Sequence, residues 1–286
     1  MGYRNNYLYL LAAVTVLLNL RAGVSQISSL SPPDTLLAIY LVKATGGFTI
    51  DGYLNEEPWR QVVPIDHLIQ REPAEGQPAS EKTDILICYD DQNLYFGIHC
   101  YDSDPLKIVA NEMRRDQILL DNDCIEIFLD TYHDHQSAFY FSTNPLGAQR
   151  DGLLQANVID EVQNWDWNGI WENISRIDST GWYAEIAVPF KTLRFKPADD
   201  MTWGFNIARF IPRKREEAFW SPILREYGLW GKYLLSTYGH LTGMHSVQNP
   251  SLGKLNHLPW PDFSVILPSP IHTRINSILD WTADIW

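Results

Sequence analysis

Four acidic residues able to bind a cation or accept hydrogen bonds lie in residues 119–130, which read LLDNDCIEIFLD. Asp121 and Asp123 occupy a turn-like start, and Asp130 closes the segment. Carboxylate oxygens are the ligands that calcium prefers, within a shell of roughly six to eight oxygens. Asp121, Asp123 and Asp130 are therefore candidate ligands of a structural calcium ion. The alternative is that they are solvated turn residues, and the two acids of the upstream DSDP turn are rival ligands.

Glu126 is the fourth acid of this segment, and it interrupts an apolar run at its centre. The residues around it, CIEIFLD, are mostly β-branched or apolar, which predicts a strand of the sheet core. Burying a carboxylate without a partner costs several kcal/mol. Glu126 is therefore expected either to face solvent or to have a function.

Four tryptophans stand in loop-like settings. Trp165, Trp167 and Trp171 belong to the polar sequence WDWNGIW. Trp230 lies in REYGLWGKY, where the flanking glycines favour turns that let an indole project from the surface. The alternative is that these rings pack a sheet edge or the core, because large aromatic residues usually dominate cores.

Histidine and cysteine give weaker signals. His133 and His135 look like a metal-binding tract, but two histidines one residue apart lack a third placed ligand, and a solvated loop is favoured. The three cysteines lie in strand-like apolar runs and match no CxxC metal pattern. Two alternatives are open for Cys88, Cys100 and Cys124. Either two of them form a disulfide and the third is a free buried thiol, or all three are buried thiols.

The sequence carries no GxSxG, HExxH or P-loop motif. Glycoside hydrolysis needs two carboxylates about 5 to 10 Å apart across a cleft, and the sequence does not place Glu126 at that distance from Glu185 or Asp151. We therefore expect a binding protein rather than an enzyme. A haem-binding use is a further alternative, but it lacks a CxxCH motif and a defined axial ligand.

Short strands separated by turns make up most of the chain. Alternation and apolar runs predict strands over residues 36–42, 83–89, 94–101, 124–129, 137–143, 171–177, 182–188 and 203–211. Residues 90–93 predict a hairpin loop, Asp151 and Gly152 predict a turn, and one short helix is predicted to carry Trp59 inward. No long segment shows helical periodicity. The pattern predicts an all-β antiparallel sandwich.

Both ends of the chain depart from this pattern. Residues 1–25 place Arg4 before a short apolar run and then small residues, as in a cleavable secretory signal, whereas a membrane span needs about 20 apolar residues. An uncleaved anchor is the alternative. Residues 26–35 are predicted to be a linker, residues 36–247 the sandwich, and residues 248–286 an irregular tail. The net charge of −13 argues against nucleic acid as a partner and suits cations or neutral ligands.

Six local patterns, from Ile50 to Leu241, together resemble one family. They are IDGYLNEEPW, YDDQNLYFGIHCYDSDP, DNDCIEIFLD, GWYAEIAVPFKTLRF, WGFNIAR and YGHL, in that order. The chain resembles the family 9 carbohydrate-binding modules, which are β-sandwiches. It is most similar to the version at the N-terminus of bacterial outer-membrane proteins whose remaining part is a β-barrel of unknown function.

The resemblance also implies a site. In such modules a sugar end is held between two aromatic faces, charged and amide side chains bond its hydroxyls, and calcium is bound for structure. Carried over to this chain, the acid falls on Glu126 and the later aromatic on Trp230. The earlier aromatic position holds Leu119 and Leu120, and the expected arginine falls near Tyr140, so this chain differs there. We expect the second aromatic wall to come from one of three residues: Trp165, Trp167 or Trp171.

These observations predict an exported, non-catalytic carbohydrate-binding module linked to glycan catabolism, with structural calcium. It would act in the periplasm, at the outer membrane or on the cell surface. The alternative is a scaffold or plug domain of an outer-membrane barrel protein without sugar affinity, in which residues 248–286 begin the barrel domain.

Overall fold

The computed structural model describes residues 37–156, 163–245 and 247. Within these ranges the chain forms thirteen strands joined by turns and short 3-10 helices. The strands are β1 (Ala38–Tyr40), β2 (Val42–Lys43), β3 (Ile69–Glu72), β4 (Thr83–Tyr89), β5 (Asn93–Tyr101), β6 (Cys124–Asp130), β7 (Ser137–Thr143), β8 (Gln149–Gln155), β9 (Glu172–Asp178), β10 (Gly181–Pro189), β11 (Met201–Ile211), β12 (Glu216–Phe219) and β13 (Gly239–Met244). The predicted signal peptide, linker and tail lie outside the described residues.

The strands form two sheets. The larger sheet has eight strands, with β1, β13, β11, β6, β7 and β8 in order, β12 beside β11, and β3 beside β12. The smaller sheet has five strands in the order β2, β4, β5, β10, β9. Neighbouring strands are antiparallel except at two edges, where β1 runs parallel to β13 and β2 parallel to β4. The predicted all-β sandwich is confirmed.

The main hydrophobic core fills the space between the two sheets. Ile125, Ile127 and Leu129 of β6 point into it, and Trp182 and Trp203 are large aromatic residues buried at its centre. Each fully buried side chain of this kind contributes about 1.5–3 kcal/mol. The alternate residues of β6 therefore anchor the larger sheet on the smaller one.

The outer face of the larger sheet is also covered. Phe128 of β6 packs with Tyr140 of β7 and with Tyr238 in a second apolar cluster. The cover is the segment 220–238, which contains three 3-10 helices: Arg225–Tyr227, Gly231–Tyr233 and Leu235–Thr237. Because both faces of β6 are buried, its sequence is an almost continuous apolar run. The segment that covers Phe128 also lies over Glu126, which projects from the same face of β6.

Several local predictions agree with the structure. The hairpin of β4 and β5 is confirmed, and so is the short helix, a 3-10 helix over Glu57–Gln61 in which Trp59 is buried. The single strand predicted over residues 36–42 is instead two strands, β1 and β2, which belong to different sheets. The described ranges contain no helix of the length and hydrophobicity that a membrane crossing requires.

The predicted turn at Asp151 and Gly152 is wrong, because both residues lie in the middle of β8. Gly152 leaves room for the side chain of Trp165 and does not form a turn. A Cβ at this position would lie 2.6 Å from Cε3 of Trp165, so only glycine lets the indole ring lie against the strand. The Asp-Gly pair suggested a turn, whereas the close approach of Trp165 is the physical reason for the glycine.

Candidate functional site

Glu126 lies on the outer face of β6, directly under the covering segment. Lys232 Nζ donates hydrogen bonds to both carboxylate oxygens at 3.0 Å, and the Tyr140 hydroxyl donates to Oε1 at 2.7 Å. Glu126 is 3% exposed and Lys232 is 9% exposed. The carboxylate that interrupts the apolar run is therefore neither solvated nor unpaired.

A second carboxylate, Glu217, and a second cation, Arg71, lie beside this pair. Burial lowers the pKa of Lys232, but the carboxylates of Glu126 and Glu217 outweigh it and raise that pKa above its ordinary value. Burial raises the pKa of Glu217, while Lys232 and Arg71 act in the opposite direction. Arg71 Nε donates to Glu217 Oε2 at 2.5 Å. Two carboxylates and two cations thus balance one another in a buried network.

Trp165 lies next to Tyr140 on the same face of the sheet. The ring centroids are 5.3 Å apart and the rings meet edge to face. The Arg150 guanidinium lies 3.9 Å from the centroid of the Trp165 ring. Arg150 pairs with Ser142 across β8 and β7, and Ser142 pairs with Glu126 across β7 and β6, so all three project from one face.

Arg150 is the arginine that the sequence did not reveal. The family resemblance placed the expected arginine near Tyr140 on β7, but the structure supplies one from β8. The sequence does not reveal it because β8 contains the pair Asp151-Gly152, which is typical of a turn. Its cation lies 5.9 Å from the Tyr140 ring centroid, so it reaches the same place from the next strand.

Trp230 belongs to the covering segment and lies two residues before Lys232. Its side chain is 39% exposed, and its ring stacks on Tyr233 with centroids 6.1 Å apart and planes at 14°. Lys232 Nζ lies 5.7 Å from the Tyr233 ring centroid. The ring therefore projects as predicted, and contacts through Tyr233 and Lys232 connect it to Glu126.

These side chains form one continuous set, which we call the outer-face cluster. Its members are Arg150, Trp165, Tyr140, Glu126, Lys232, Tyr233 and Trp230. The cluster combines indole and phenol rings with fixed charged groups, and such a combination suits a ligand that has both apolar faces and hydroxyl groups.

The sequence predicts that the second wall comes from one of three tryptophans, and the structure places two of these, Trp167 and Trp171, away from the outer face. Trp171 is 5% exposed in the main core, where its indole N–H donates to Asp151 Oδ2 at 2.8 Å. Trp167 packs on Phe139 and Phe141, with centroids 5.2 and 6.0 Å away, on the inner side of the larger sheet. Trp165 alone of the three lies on the outer face.

The three acids predicted to bind calcium do not converge. Asp123 precedes β6 and Asp130 ends it, so an extended chain that rises about 3.3 Å per residue separates them by roughly 23 Å. Asp123 Oδ2 accepts the Val109 amide at 2.8 Å. Asp121 is exposed, and Asp130 accepts amides of the turn that follows it. Asp121, Asp123 and Asp130 therefore cannot hold one ion together.

Acidic oxygens do converge on the smaller sheet. One oxygen from each of Asp51, Glu56 and Glu185 lies within 4.8 Å of the others. Glu185 of β10 accepts the amides of Asp51 and Gly52 at 2.9 Å and the Trp59 indole N–H at 3.0 Å. Burial raises the pKa of Glu185. Sequence reasoning missed this grouping because Glu185 lies far along the chain from the other two acids.

The cysteines are three separate buried thiols. Burial raises the pKa of Cys88 and that of Cys100 to about 12, and it raises the pKa of Cys124 well above its ordinary value. Because the thiolate is the reactive form, all three thiols are held in their inert form. The structure thus favours the alternative of three buried thiols.

The two packed, mainly antiparallel sheets define a β-sandwich, which has a polar and aromatic cluster on one outer face. Residues 50–216 match the family model described as carbohydrate family 9 binding domain-like. This match covers more than half of the chain, and the chain belongs to that family. A comparison with curated proteins gave no match.

Solved structures show the same fold. One is a family 9 carbohydrate-binding module from Caldicellulosiruptor kristjanssonii in complex with cellotriose, with 17% identity, a TM-score of 0.52, and coverage of 82% of this chain and 100% of that one. The same organism's module in complex with glucose has 17% identity, a TM-score of 0.52, and coverage of 75% and 100%. A putative carbohydrate-binding protein from Bacteroides uniformis has 12% identity, a TM-score of 0.59, and coverage of 73% and 99%.

Proposed function

We propose that this protein binds carbohydrate through the outer-face cluster. The observation that carries the proposal is the continuous line of contacts from Trp165 through Glu126 to the exposed ring of Trp230. Family membership supports it, since the family is described by carbohydrate binding. The neighbouring structures were solved with cellotriose and glucose, and a saccharide of that kind is a reasonable first ligand for this chain.

The hydrogen-bonding capacity of the ion pair supports the same proposal. A carboxylate offers about four acceptor positions and an ammonium group three donors. Among the contacts of the described residues, Glu126 accepts three hydrogen bonds and Lys232 donates two. By this count, one acceptor position of Glu126 and one donor of Lys232 are left over. A sugar hydroxyl both donates and accepts, so it complements this pair.

The aromatic members supply the apolar contact. The C–H faces of a sugar ring pack on an indole, and Trp230 offers a partly exposed indole on the covering segment. Trp165 is held by Arg150 on its face and by Tyr140 at its edge, so its position is fixed before a ligand arrives. Rigid aromatic anchors lose little conformational entropy on binding.

Export and a part in glycan catabolism belong to this proposal. Arg4, the apolar run and the small residues behind it support cleavage near Ser25 and delivery to the periplasm, the outer membrane or the cell surface. The intact mass of the mature protein tests this directly. A mass equal to that of a chain that begins after residue 25 agrees with export, whereas a retained Met1 or a membrane-embedded product contradicts it.

Calcium is the other part of the proposal. Among the described residues, the oxygens of Asp51, Glu56 and Glu185 fit a cation better than the acids around β6, because they already lie within 4.8 Å of one another. Glu56 Oε2 is buried and has no hydrogen-bond partner among the described residues. An ion there would tie the Asp51 turn and the helix of Trp59 to β10.

One observation favours a second candidate function. Glu126 is neutralised by Lys232 in a site from which most water is excluded, as in a structural ion pair. A scaffold domain without sugar affinity would use the same pair to fasten the covering segment to the sheet.

A glycan array separates the two candidates. The full chain and its Trp230→Ala variant are applied to the same array, with Leu229→Ala as a matched control because Leu229 is a 73% exposed neighbour. Carbohydrate binding predicts glycans that bind the wild type and the control but not Trp230→Ala. An array with no bound glycan supports the scaffold.

A further inference from the structure

Three histidine rings meet at the end of β6. His133 and His135 lie in the turn that follows this strand, and His240 lies on β13. The centroid of the His133 ring is 5.1 Å from that of His135 and 4.8 Å from that of His240. The sequence alone offers two neighbouring histidines without a third ligand, and the pairing of the strands supplies that third residue.

The register of the larger sheet places a carboxylate in the same spot. His240 pairs with Gly204 of β11, and Gly204 pairs with Asp130 of β6. Residues directly opposite one another point to the same face of a sheet. A Cβ at position 204 would lie 3.0 Å from Asp130 Cβ and 3.4 Å from its Oδ2. The glycine thus leaves the space above β11 to the side chains of Asp130 and His240.

Each of the three rings has a buried nitrogen that lacks a hydrogen-bond partner. These atoms are His133 Nε2, His135 Nδ1 and His240 Nδ1, and the statement holds for the described residues. His135 Nδ1 is 3.7 Å from Asp130 Oδ2, which is too long for a hydrogen bond. An unpaired buried polar atom costs about 1–3 kcal/mol, so three in one place indicate a missing partner.

We propose that these residues form a binding site for a divalent transition-metal ion of the zinc class. His133 Nε2, His135 Nδ1 and His240 Nδ1 are the nitrogen ligands, and Asp130 Oδ2 is the fourth ligand. Imidazole nitrogens suit zinc, copper, iron or nickel, whereas calcium takes oxygen ligands.

The spacing of the rings agrees with this chemistry. Two imidazoles bound to one tetrahedral zinc ion, with Zn–N distances of about 2.0–2.1 Å, have ring centroids roughly 5 Å apart. The two observed centroid distances, 5.1 and 4.8 Å, match that value. Among the described residues, no three ligand atoms of this group lie within 4.8 Å of one another. The rings of His135 and His240 must therefore rotate toward His133, the ring that both of them meet, when an ion binds.

The backbone of the turn fixes the positions from which the His133 and His135 side chains project. His133 has φ 51° and His135 has φ 57°, both in the left-handed region that costs a residue other than glycine of order 1 kcal/mol or more. Asp130 keeps the turn in this shape, because its carbonyl accepts the His133 amide at 3.3 Å and its carboxylate accepts the His135 amide at 2.8 Å. Such strain occurs where a surrounding structure fixes a functional geometry.

The test is a metal titration of the untagged full chain after removal of metals with a chelator. Isothermal titration with Zn²⁺ is expected to give one equivalent of tight binding. Titration with Co²⁺ is expected to give the visible absorption bands of a tetrahedral ion. His240→Ala and His135→Ala are made as separate variants. Each should weaken Zn²⁺ binding at least roughly 10- to 100-fold, because replacing even a residue that only hydrogen-bonds a metal ligand has an effect of that size.

The matched control is His67→Ala, because His67 is an exposed histidine whose side-chain exposure is 60%. It should leave the affinity unchanged. Thermal melts of the metal-free variants show whether they fold. The proposal is overturned if the wild type binds no stoichiometric Zn²⁺, if folded His240→Ala and His135→Ala bind as tightly as the wild type, or if His67→Ala weakens binding equally.

Discussion

Lys232 Nζ lies 3.0 Å from both carboxylate oxygens of Glu126, and both side chains are almost fully buried. The two residues are 106 positions apart in the chain. One belongs to the central strand β6 and the other to the segment 220–238 that covers it. The ion pair therefore fastens the cover, which also carries Trp230, to the sheet.

The first prediction concerns the stability of this pair. Removing one partner leaves an uncompensated buried charge, so Lys232→Met is expected to lower the free energy of unfolding by about 3–5 kcal/mol. Glu126→Gln is expected to lower it as well. The double variant should lose less than the sum of the two single losses, because neither charge is then left alone. Urea unfolding of the four proteins measures this coupling.

The control for these variants is the exposed ion pair of Lys43 and Asp91, in which Lys43 Nζ lies 2.6 Å from Asp91 Oδ1. Lys43→Met is expected to leave the unfolding midpoint unchanged, because solvent screens exposed ion pairs. Strictly additive losses for Glu126→Gln and Lys232→Met would show that the pair has no special energetic coupling.

The second prediction concerns pH and His99. This ring is 9% exposed and lies between Tyr101 and Tyr183, with centroids 3.6 and 3.9 Å away. Burial lowers the pKa of His99 from 6.5 to about 4, although the carboxylates of Asp178 and Asp84 oppose the shift. Between pH 6.5 and about 4 the unfolded chain therefore binds a proton that the folded chain does not.

Stability linked to His99 is accordingly present above pH 6.5 and is lost as the pH falls toward 4. The loss amounts to a few kcal/mol at most. Buried carboxylates with raised pKa values, such as Asp151 and Glu217, have the opposite dependence. The comparison is therefore between wild type and His99→Phe, which keeps an aromatic ring but cannot titrate. Parallel curves of stability against pH would contradict the assignment.

The third prediction concerns calcium. An ion that binds only the folded state raises the melting temperature by mass action. Thermal melts in chelator and in millimolar calcium are expected to differ for the wild type. Glu56→Gln should abolish the difference and Asp121→Asn should keep it, because the oxygens of Asp51, Glu56 and Glu185 converge while the acids around β6 do not. A shift that persists in Glu56→Gln but is lost in Asp121→Asn would contradict calcium binding by Asp51, Glu56 and Glu185.

Much of the fold could be predicted from local pattern. The hairpin of β4 and β5 and the strands β6, β7, β10 and β11 carry apolar runs or alternation that any core-forming strand needs. Strand β8 was missed because QRDGLLQ contains Arg150, Asp151 and Gly152, whose partners come from other strands and from the loop of Trp165. Such partners have no signature in the segment itself.

The site shows the same division. The positions of Glu126 and the projection of Trp230 follow from single segments, a charge inside an apolar run and an indole among glycines. Lys232 as the partner of Glu126, Arg150 as the neighbour of Trp165 and His240 as the third histidine depend on which strands and covers meet in space. Only the three-dimensional pairing shows them.

Carbohydrate binding by the outer-face cluster is best tested by measuring the glycan affinity of Trp230→Ala together with its unfolding midpoint. If the cluster binds carbohydrate, the affinity for a glycan selected on the array falls roughly tenfold to hundredfold, or about 1.4–2.8 kcal/mol, while the midpoint stays close to that of the wild type. Leu229→Ala should change neither quantity. Unchanged affinity, or a stability loss of about 3–5 kcal/mol as for a tryptophan removed from a core, would contradict a role of Trp230 in carbohydrate binding.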